Sequence, residues 1–347
     1  MRFQGALLAC VLAAAFSLGQ SGQVHAAGKT APYKSPRTAF GDPDLQGLWT
    51  NASITTLERQ PGLPDKVSMT PQEAAVAEKQ ALAWMAANDQ PTPASQGAPA
   101  VGEDPGGYNS FWIDLGAHYG QVNGEYRTAW IVDPPTGKVP YSAKGLKDIR
   151  AIFAAPDHRF DGPEIRSLGE RCIVGYGSTG GPPMLNVLYN NNYQIVQSPG
   201  FVTIVVEMNH DARIIRLGGE HLRAGINPWM GDPVGRWEGD TLVVETTNLN
   251  PGQQFTADIR HRLYLAPKSK VTERFTRVSD KEILYSFAVE EPQAYTQTWR
   301  GEIPMRATKG PIYEYACHEG NYAMPGILAG ARAEERAKSE SSSGGVK

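Results

Sequence analysis

The sequence predicts a mainly β protein: an antiparallel meander that closes into a barrel, with an N-terminal arm that carries one helix. A β-sandwich is the alternative fold. Apolar residues alternate with polar or small ones in segments such as "EILYSFAVE" at 282–290, which is typical of a half-buried antiparallel strand. Turn residues such as the "SPG" at 198–200 separate these segments. A long meander must also close, or fold over, to hide its edges.

Composition divides the chain into four predicted regions. Residues 1–26 have the charged start, apolar run and small-residue end of a secretory signal peptide, with cleavage near Ala26. Residues 27–110 are expected to form an extended arm, residues 111–330 the barrel, and residues 331–347 a disordered tail, since the tail is charged and rich in Ser and Gly. The mature protein is therefore expected in the periplasm or outside the cell.

Neither a membrane span nor a nucleic-acid partner is expected. The apolar run at residues 6–18 is shorter than the roughly 20 residues that cross a bilayer. The formal net charge is −3, and loss of Arg2 with the signal peptide makes it more negative. A weakly acidic protein does not attract phosphate backbones.

The arm contains one helix with a clear start. Thr70 is the predicted N-cap, Pro71 the first helical residue, and Glu73 completes a capping box. The following segment at 88–107 is rich in Pro, Gly and small residues, so we expect a mobile loop that could act as a lid.

The strands follow in order along the rest of the chain. Gly47 and Trp49 form a Gly-x-Trp pattern that resembles the opening strand of lipocalin-type barrels, so the predicted barrel is lipocalin-like. The "IVDPPTGKVP" segment at 131–140 predicts a hairpin turn. Further strands are expected at 192–198, 201–208, 213–217, 235–247, 270–278, 282–290, 298–305 and 311–316.

Two cysteines remain after the signal peptide removes Cys10. Cys172 and Cys317 are an even pair in an oxidising compartment, where a disulfide is the expected state. Two separate buried thiols are the alternative.

The first candidate site follows the apolar strand "FVTIVV". Glu207 lies at the end of this enclosed strand, and we expect Arg213 or Arg216 to neutralise it. One interpretation is structural: a turn at 208–211 beside a Glu–Arg pair. The functional interpretation makes His210 a general base oriented by Asp211 or Glu207, with Arg213 orienting substrate.

A second candidate cluster surrounds Cys317. His318 and Glu319 would supply the acid, held rigidly by the disulfide, with Tyr315 beside them. A surface loop that carries a disulfide is the alternative. The functional hypothesis requires that His210 and His318 meet at one hollow.

Other residues suit substrate binding better than cofactor binding. Asn192 and Tyr193 precede a strand, and Trp229 and Trp237 offer flat faces for rings. No His-x-His, His-Glu-x-x-His or Cys-x-x-Cys spacing is present, although two His and one carboxylate could bind a metal. We therefore expect neither a metal nor another cofactor.

Six motifs together resemble a widespread family of exported bacterial proteins usually labelled hypothetical. The resemblance covers most of the mature chain and implies no particular mechanism. The motifs are "DPDLQGLWTN", "WIVDPPTGKVP", "NNNYQIVQ", "EMNHDARII", "GRWEGDTLVVETTN" and "YEYACHEGNYAMPGILAGAR".

These features predict a cofactor-independent lyase or isomerase that uses His/carboxylate acid–base chemistry. Its substrate would be a small ring-bearing molecule, either an aromatic compound or a glycoside. A non-catalytic binding protein for an apolar or aromatic ligand is the first alternative, and a hydrolase is the second. The sequence leaves the oligomeric state open.

Overall fold

The chain contains a closed β-barrel and three helices in the residues that the structure describes. The structure is a computed structural model that describes residues 33–88, 95, 113–153, 160–257 and 261–343. From residue 35 onward the described residues belong to one compact unit, which contains the barrel. The predicted signal peptide and nearly all of the predicted lid loop lie outside the described residues.

Strands make up most of the regular structure. In chain order the elements are β1 (Gly47–Thr50), β2 (Ser68–Met69), α1 (Pro71–Asn88), β3 (Gln121–Val122), β4 (Glu125–Arg127), β5 (Ile131–Asp133), α2 (Ala143–Phe153), β6 (Asn192–Ser198), β7 (Phe201–Val206), β8 (Ala212–Leu217), β9 (Asp232–Glu238), β10 (Thr241–Thr247), β11 (Phe255–Ala257), β12 (Arg262–Tyr264), β13 (Lys270–Ser279), β14 (Glu282–Glu290), β15 (Trp299–Ala307) and α3 (Ala323–Ser343). No helix among the described residues is both long enough and apolar enough to cross a membrane.

The predicted barrel is confirmed as a ring of nine strands. The strands lie in the order β1-β6-β7-β8-β9-β10-β13-β14-β15, and β15 pairs back onto β1. One neighbouring pair, β8 and β9, is parallel, so the ring is not the wholly antiparallel meander that was expected. The long connection over residues 218–231 carries the chain back before β9 begins, as a parallel pair requires.

β1 closes the ring, although the sequence placed it in the arm. It pairs with β6 along its whole length and with β15 at Trp49 and Thr50. The Trp49 side chain is buried, and the Arg277 guanidinium lies over its ring at 5.6 Å. Both edges of the sheet are therefore joined, and their backbone groups are paired.

A buried coil fills part of the barrel. Residues 177–187 are buried without forming a helix or a strand. The Met184 amide donates to the Tyr285 hydroxyl at 2.9 Å, and the Tyr193 hydroxyl donates to the Thr179 carbonyl at 3.2 Å. Because Tyr193 and Tyr285 are fully buried, these bonds attach the coil to the inner face of the barrel.

The barrel core also holds a buried ion pair. Arg213 on β8 donates two hydrogen bonds to Glu273 on β13, and both residues are almost fully buried. The Tyr285 hydroxyl donates to the same carboxylate at 2.7 Å. The expectation that Arg213 or Arg216 neutralises Glu207 is therefore wrong, because Arg213 points into the core and Arg216 pairs with Asp232.

The predicted helix of the arm is confirmed as α1. The Glu73 amide donates to the Thr70 hydroxyl at 3.2 Å, and the Thr70 amide donates to the Glu73 carboxylate at 2.8 Å, which is the predicted capping box. α1 packs its small residues Ala74 and Ala77 against Met69. Met69 lies in the three-stranded sheet β2-β4-β3.

Two local expectations were wrong. The turn at 131–140 does not join a hairpin, because β5 pairs with the distant β15 and the chain continues into α2. The predicted disordered tail is helical as far as residue 343, as part of α3. Its Ala, Glu, Arg and Lys residues are good helix formers, although most of their side chains are exposed.

Removal of either partner of the buried ion pair should strongly destabilise the barrel. We expect Arg213→Ala or Glu273→Ala to lower the free energy of unfolding by about 3–5 kcal/mol, since each leaves an uncompensated buried charge. The double variant Arg213→Met/Glu273→Leu should recover most of that loss. Chemical denaturation measures both effects.

The exposed pair between Arg236 and Glu238 provides the control. Arg236→Ala should leave the unfolding free energy within experimental error, because exposed pairs contribute little. Equal losses for Arg213→Ala and Arg236→Ala would contradict the structural role of the buried pair.

Candidate functional site

A short turn between β7 and β8 holds the first predicted cluster. Met208–His210 form a single 3₁₀ turn, and Asn209 and His210 have positive φ angles of 59° and 55°. Asn tolerates this left-handed conformation better than most residues. Glu207 is buried at the start of the turn, whereas the His210 side chain is exposed.

Two donors fix the orientation of Glu207. The Asn192 amide group donates to Oε2 at 2.5 Å, and the backbone amide of Tyr313 donates to Oε1 at 3.1 Å. The side chain of Glu207 lines a cavity and only 2% of the residue is exposed. Each oxygen retains a further lone pair. The carboxylate is therefore held in place but can still accept a hydrogen bond or a proton.

His210 contacts the same distant segment as Glu207. The backbone amide of Tyr315 donates to His210 Nε2 at 3.0 Å. Nε2 is the acceptor in this hydrogen bond, so its lone pair is already used by the strap. In this arrangement His210 holds the backbone at Tyr315.

Among the described residues, Asp211 forms its side-chain hydrogen bonds with partners other than His210. Its carboxylate accepts hydrogen bonds from the Gly175 amide at 2.8 Å and from the Asn209 side chain at 3.3 Å. Burial raises the pKa of Asp211, and the hydrogen bond from Gly175 opposes that shift. The expectation that Asp211 orients the His210 ring through a hydrogen bond is not met among the described residues.

Residues 311–322, here called the strap, cover this turn. The sequence predicted a strand at 311–316, but these residues have no strand partner in the described part of the chain. The amides of Tyr313 and Tyr315 instead donate to the side chains of Glu207 and His210. Alternate amides of an extended segment point the same way, so side chains replace the neighbouring strand here.

A disulfide anchors the other end of the strap. Cys317 is bonded to Cys172, which lies 145 residues earlier, and this confirms the predicted pairing. The Asn321 side chain donates to the Glu170 carbonyl at 2.8 Å. The strap is therefore fixed to the body of the protein both covalently and by hydrogen bonds.

A cavity of about 790 Å³ lies between the strap and the body. Its lining has four carboxylates, four tyrosines and three asparagines. The lining residues are Asp114, Gly169, Glu170, Tyr176, Tyr189, Asn190, Asn192, Glu207, Tyr313, Glu314, Tyr315, Ala316, Cys317, Gly320, Asn321 and Ala323.

The structure brings together the two segments that the sequence singled out, but not all of their side chains. Glu207, Asn192 and Tyr315 line the cavity. His210 contacts the strap without lining the cavity. His318 and Glu319 are exposed and do not line it, and in the described part of the chain no hydrogen bond joins either side chain to the turn.

The other predicted substrate-binding residues lie elsewhere. Arg213 and Tyr193 are buried in the barrel core. Trp237 packs against that core from β9, and Trp229 lies beside Gly252. None of these four side chains lines the cavity.

Sequence reasoning missed several lining residues, among them Asp114, Glu170, Tyr176 and Tyr189. Tyr189 adjoins the asparagine run at 190–192, and Glu170 lies two residues before Cys172. Both positions could have been found from their neighbours. Asp114 and Tyr176 had no local signal, because they reach the cavity only through the fold.

The described residues provide no cluster of side chains that is arranged to bind a metal ion. In the described part of the chain, no three His, Cys, Asp or Glu side chains are close enough together to hold a metal ion.

Comparisons with known proteins assign no relative to the chain. No family model matches it, and neither a curated protein nor a solved structure is significantly similar to it. The resemblance to exported proteins stays a prediction, and the site must be interpreted from its own chemistry.

Loss of the disulfide should release the strap. In the double variant Cys172→Ser/Cys317→Ser, we expect hydrogen exchange at the Tyr313 and Tyr315 amides to increase and the unfolding free energy to fall by about 2–5 kcal/mol. Hydrogen-exchange mass spectrometry measures the first effect and chemical denaturation the second.

Exchange in β14 serves as the internal reference, because it should change only as much as global stability does. Unchanged exchange at Tyr313 and Tyr315 would show that the disulfide does not hold this part of the strap.

Proposed function

We propose that the protein is an exported, cofactor-independent enzyme that performs acid–base chemistry on a small ring-bearing molecule in the cavity beneath the strap. The reaction class is that of a lyase or isomerase, with Glu207 as the base. The disulfide and the absence of a membrane-spanning helix among the described residues are compatible with export.

The buried carboxylate of Glu207 is the observation that supports this proposal. A general base must lie within hydrogen-bond reach of the proton that it removes, in a fixed orientation. Glu207 lines the cavity, and Asn192 and the Tyr313 amide hold its two oxygens. Because it is shielded from water, its charge acts more strongly on a bound substrate than an exposed carboxylate would.

Glu207 suits the role of base better than His210. The Nε2 atom of His210 is occupied by the Tyr315 amide, and the ring does not line the cavity. His210 acts instead as a positioning residue, because its hydrogen bond with the Tyr315 amide holds the strap in place over the cavity. The acid would come from the hydroxyl of a partly buried lining residue, such as Tyr189, in place of the exposed His318.

A non-catalytic binding protein is the second candidate. The four lining tyrosines favour it, since aromatic rings and a few polar groups are sufficient to bind a flat ligand. The barrel core is filled by side chains and by residues 177–187, so a carrier would also use the cavity beneath the strap.

Replacement of Glu207 distinguishes between the two candidate functions, enzyme and carrier protein. The purified protein is incubated with a mixture of aromatic compounds and glycosides, and products are followed by chromatography and mass spectrometry, so that isomers are also detected. We expect Glu207→Gln to reduce turnover by a factor of about 100 or more. Cleavage into two products whose combined mass exceeds that of the substrate by one water would identify a hydrolase.

His318→Ala is the matched control, because His318 lies next to the cavity wall but outside its lining. It should retain turnover within about threefold. Circular dichroism and the unfolding midpoint check that Glu207→Gln is folded. A folded Glu207→Gln protein with unaltered turnover would reject Glu207 as the base, and binding without any product would favour the carrier.

A further inference from the structure

We infer that the ligand of the cavity beneath the strap is a ring compound that carries a positive charge, such as an aromatic amine. This inference names the substrate class of the proposed function and rests on the proposal that the cavity binds a ring-bearing molecule. It draws on three properties of the cavity: the sign of its charge, the number of aromatic rings and the burial of one carboxylate.

The charge of the lining has one sign. Four carboxylates line the cavity, and the lining contains no Lys, Arg or His. Glu170 is compensated, because Arg166 donates to it at 2.6 Å. Asp114, Glu207 and Glu314 form no ion pair with any described residue. Carboxylic acids, phosphates and other anions should therefore be repelled from the cavity.

The tyrosines suit a cation as well as a ring. Tyr176, Tyr189 and Tyr315 are partly buried and pack against the barrel core, so their rings are supported from behind. A cation above the face of an aromatic ring is attracted by the negative potential of that face. The cavity thus combines flat surfaces for a ring with negative surfaces and charges for an ammonium group.

Glu207 favours a cation over a neutral ring of similar size. Any ligand that fills the cavity removes water from this nearly buried carboxylate. A neutral sugar or phenol could add only hydrogen bonds to those from Asn192 and the Tyr313 amide, and would bring no opposite charge. An ammonium group would replace the lost solvation with a direct ion pair.

Three probes that share a phenol ring but differ in charge measure the effect of ligand charge on affinity. Tyramine carries an ammonium group, tyrosol a hydroxyl and 4-hydroxyphenylacetate a carboxylate, and methyl glucoside serves as a neutral sugar. Isothermal titration with the full-length mature protein should show tyramine binding at least about tenfold more tightly than tyrosol, and no binding of the acid. Salt at about 0.5 M should weaken only the binding of tyramine.

Two substitutions in the strap test whether the ammonium group of tyramine binds inside the cavity. Glu314→Gln should weaken tyramine binding about three- to tenfold and leave tyrosol binding unchanged, because only the amine interacts with that charge. Glu319→Gln is the matched control: both glutamates are exposed residues of the strap, but only Glu314 lines the cavity. It should weaken tyramine binding clearly less.

Several results would overturn the inference. These are equal affinities of tyramine and tyrosol, tighter binding of the acid or the sugar, or equal effects of Glu314→Gln and Glu319→Gln. Failure of this inference can be distinguished from failure of the proposed function. Tight tyramine binding, with no product formed from any compound of the mixture, would retain the ligand class and favour the carrier. Turnover of a neutral glycoside that depends on Glu207, without tyramine binding, would do the reverse.

Discussion

The pairing of β1 with both β6 and β15 is the constraint on which the rest of the structure depends. Through this strand the sheet becomes a ring without free edges, and its inner face becomes a core that must be filled. Trp49 on β1 enters that core beneath the Arg277 guanidinium. Because closure fixes the size of the ring, it also decides how much chain can be packed inside.

The filled barrel explains why the candidate site lies elsewhere. Residues 177–187 and the ion pair of Arg213 with Glu273 occupy the interior, where a barrel of this kind could otherwise hold a ligand. The available space lies instead where β7 ends and the strap crosses it. That cavity depends on the disulfide and on two side chains, Glu207 and His210, which accept hydrogen bonds from the strap backbone.

The turn at residues 207–211 carries polar side chains whose different roles only the structure distinguishes. The sequence marked residues 207–211 as chemically unusual, and the structure does place Glu207 at a cavity. The sequence could not show which of these side chains is best placed for catalysis, because that depends on which of their atoms remain accessible. His210 uses its acceptor nitrogen to hold the strap, and Asp211 accepts a hydrogen bond from Gly175. Glu207 lines the cavity and keeps unused lone pairs.

The sequence by itself determined the strands β6–β10 and β13–β15, the capped helix and the even cysteine pair, because alternation, capping and parity are local or countable properties. Only the tertiary structure decided the parallel step from β8 to β9, the burial of residues 177–187 and the partner of Arg213. A local pattern states which face of a strand is buried. It does not state which distant backbone or charge will cover that face, since that choice is made by the packing of the whole chain.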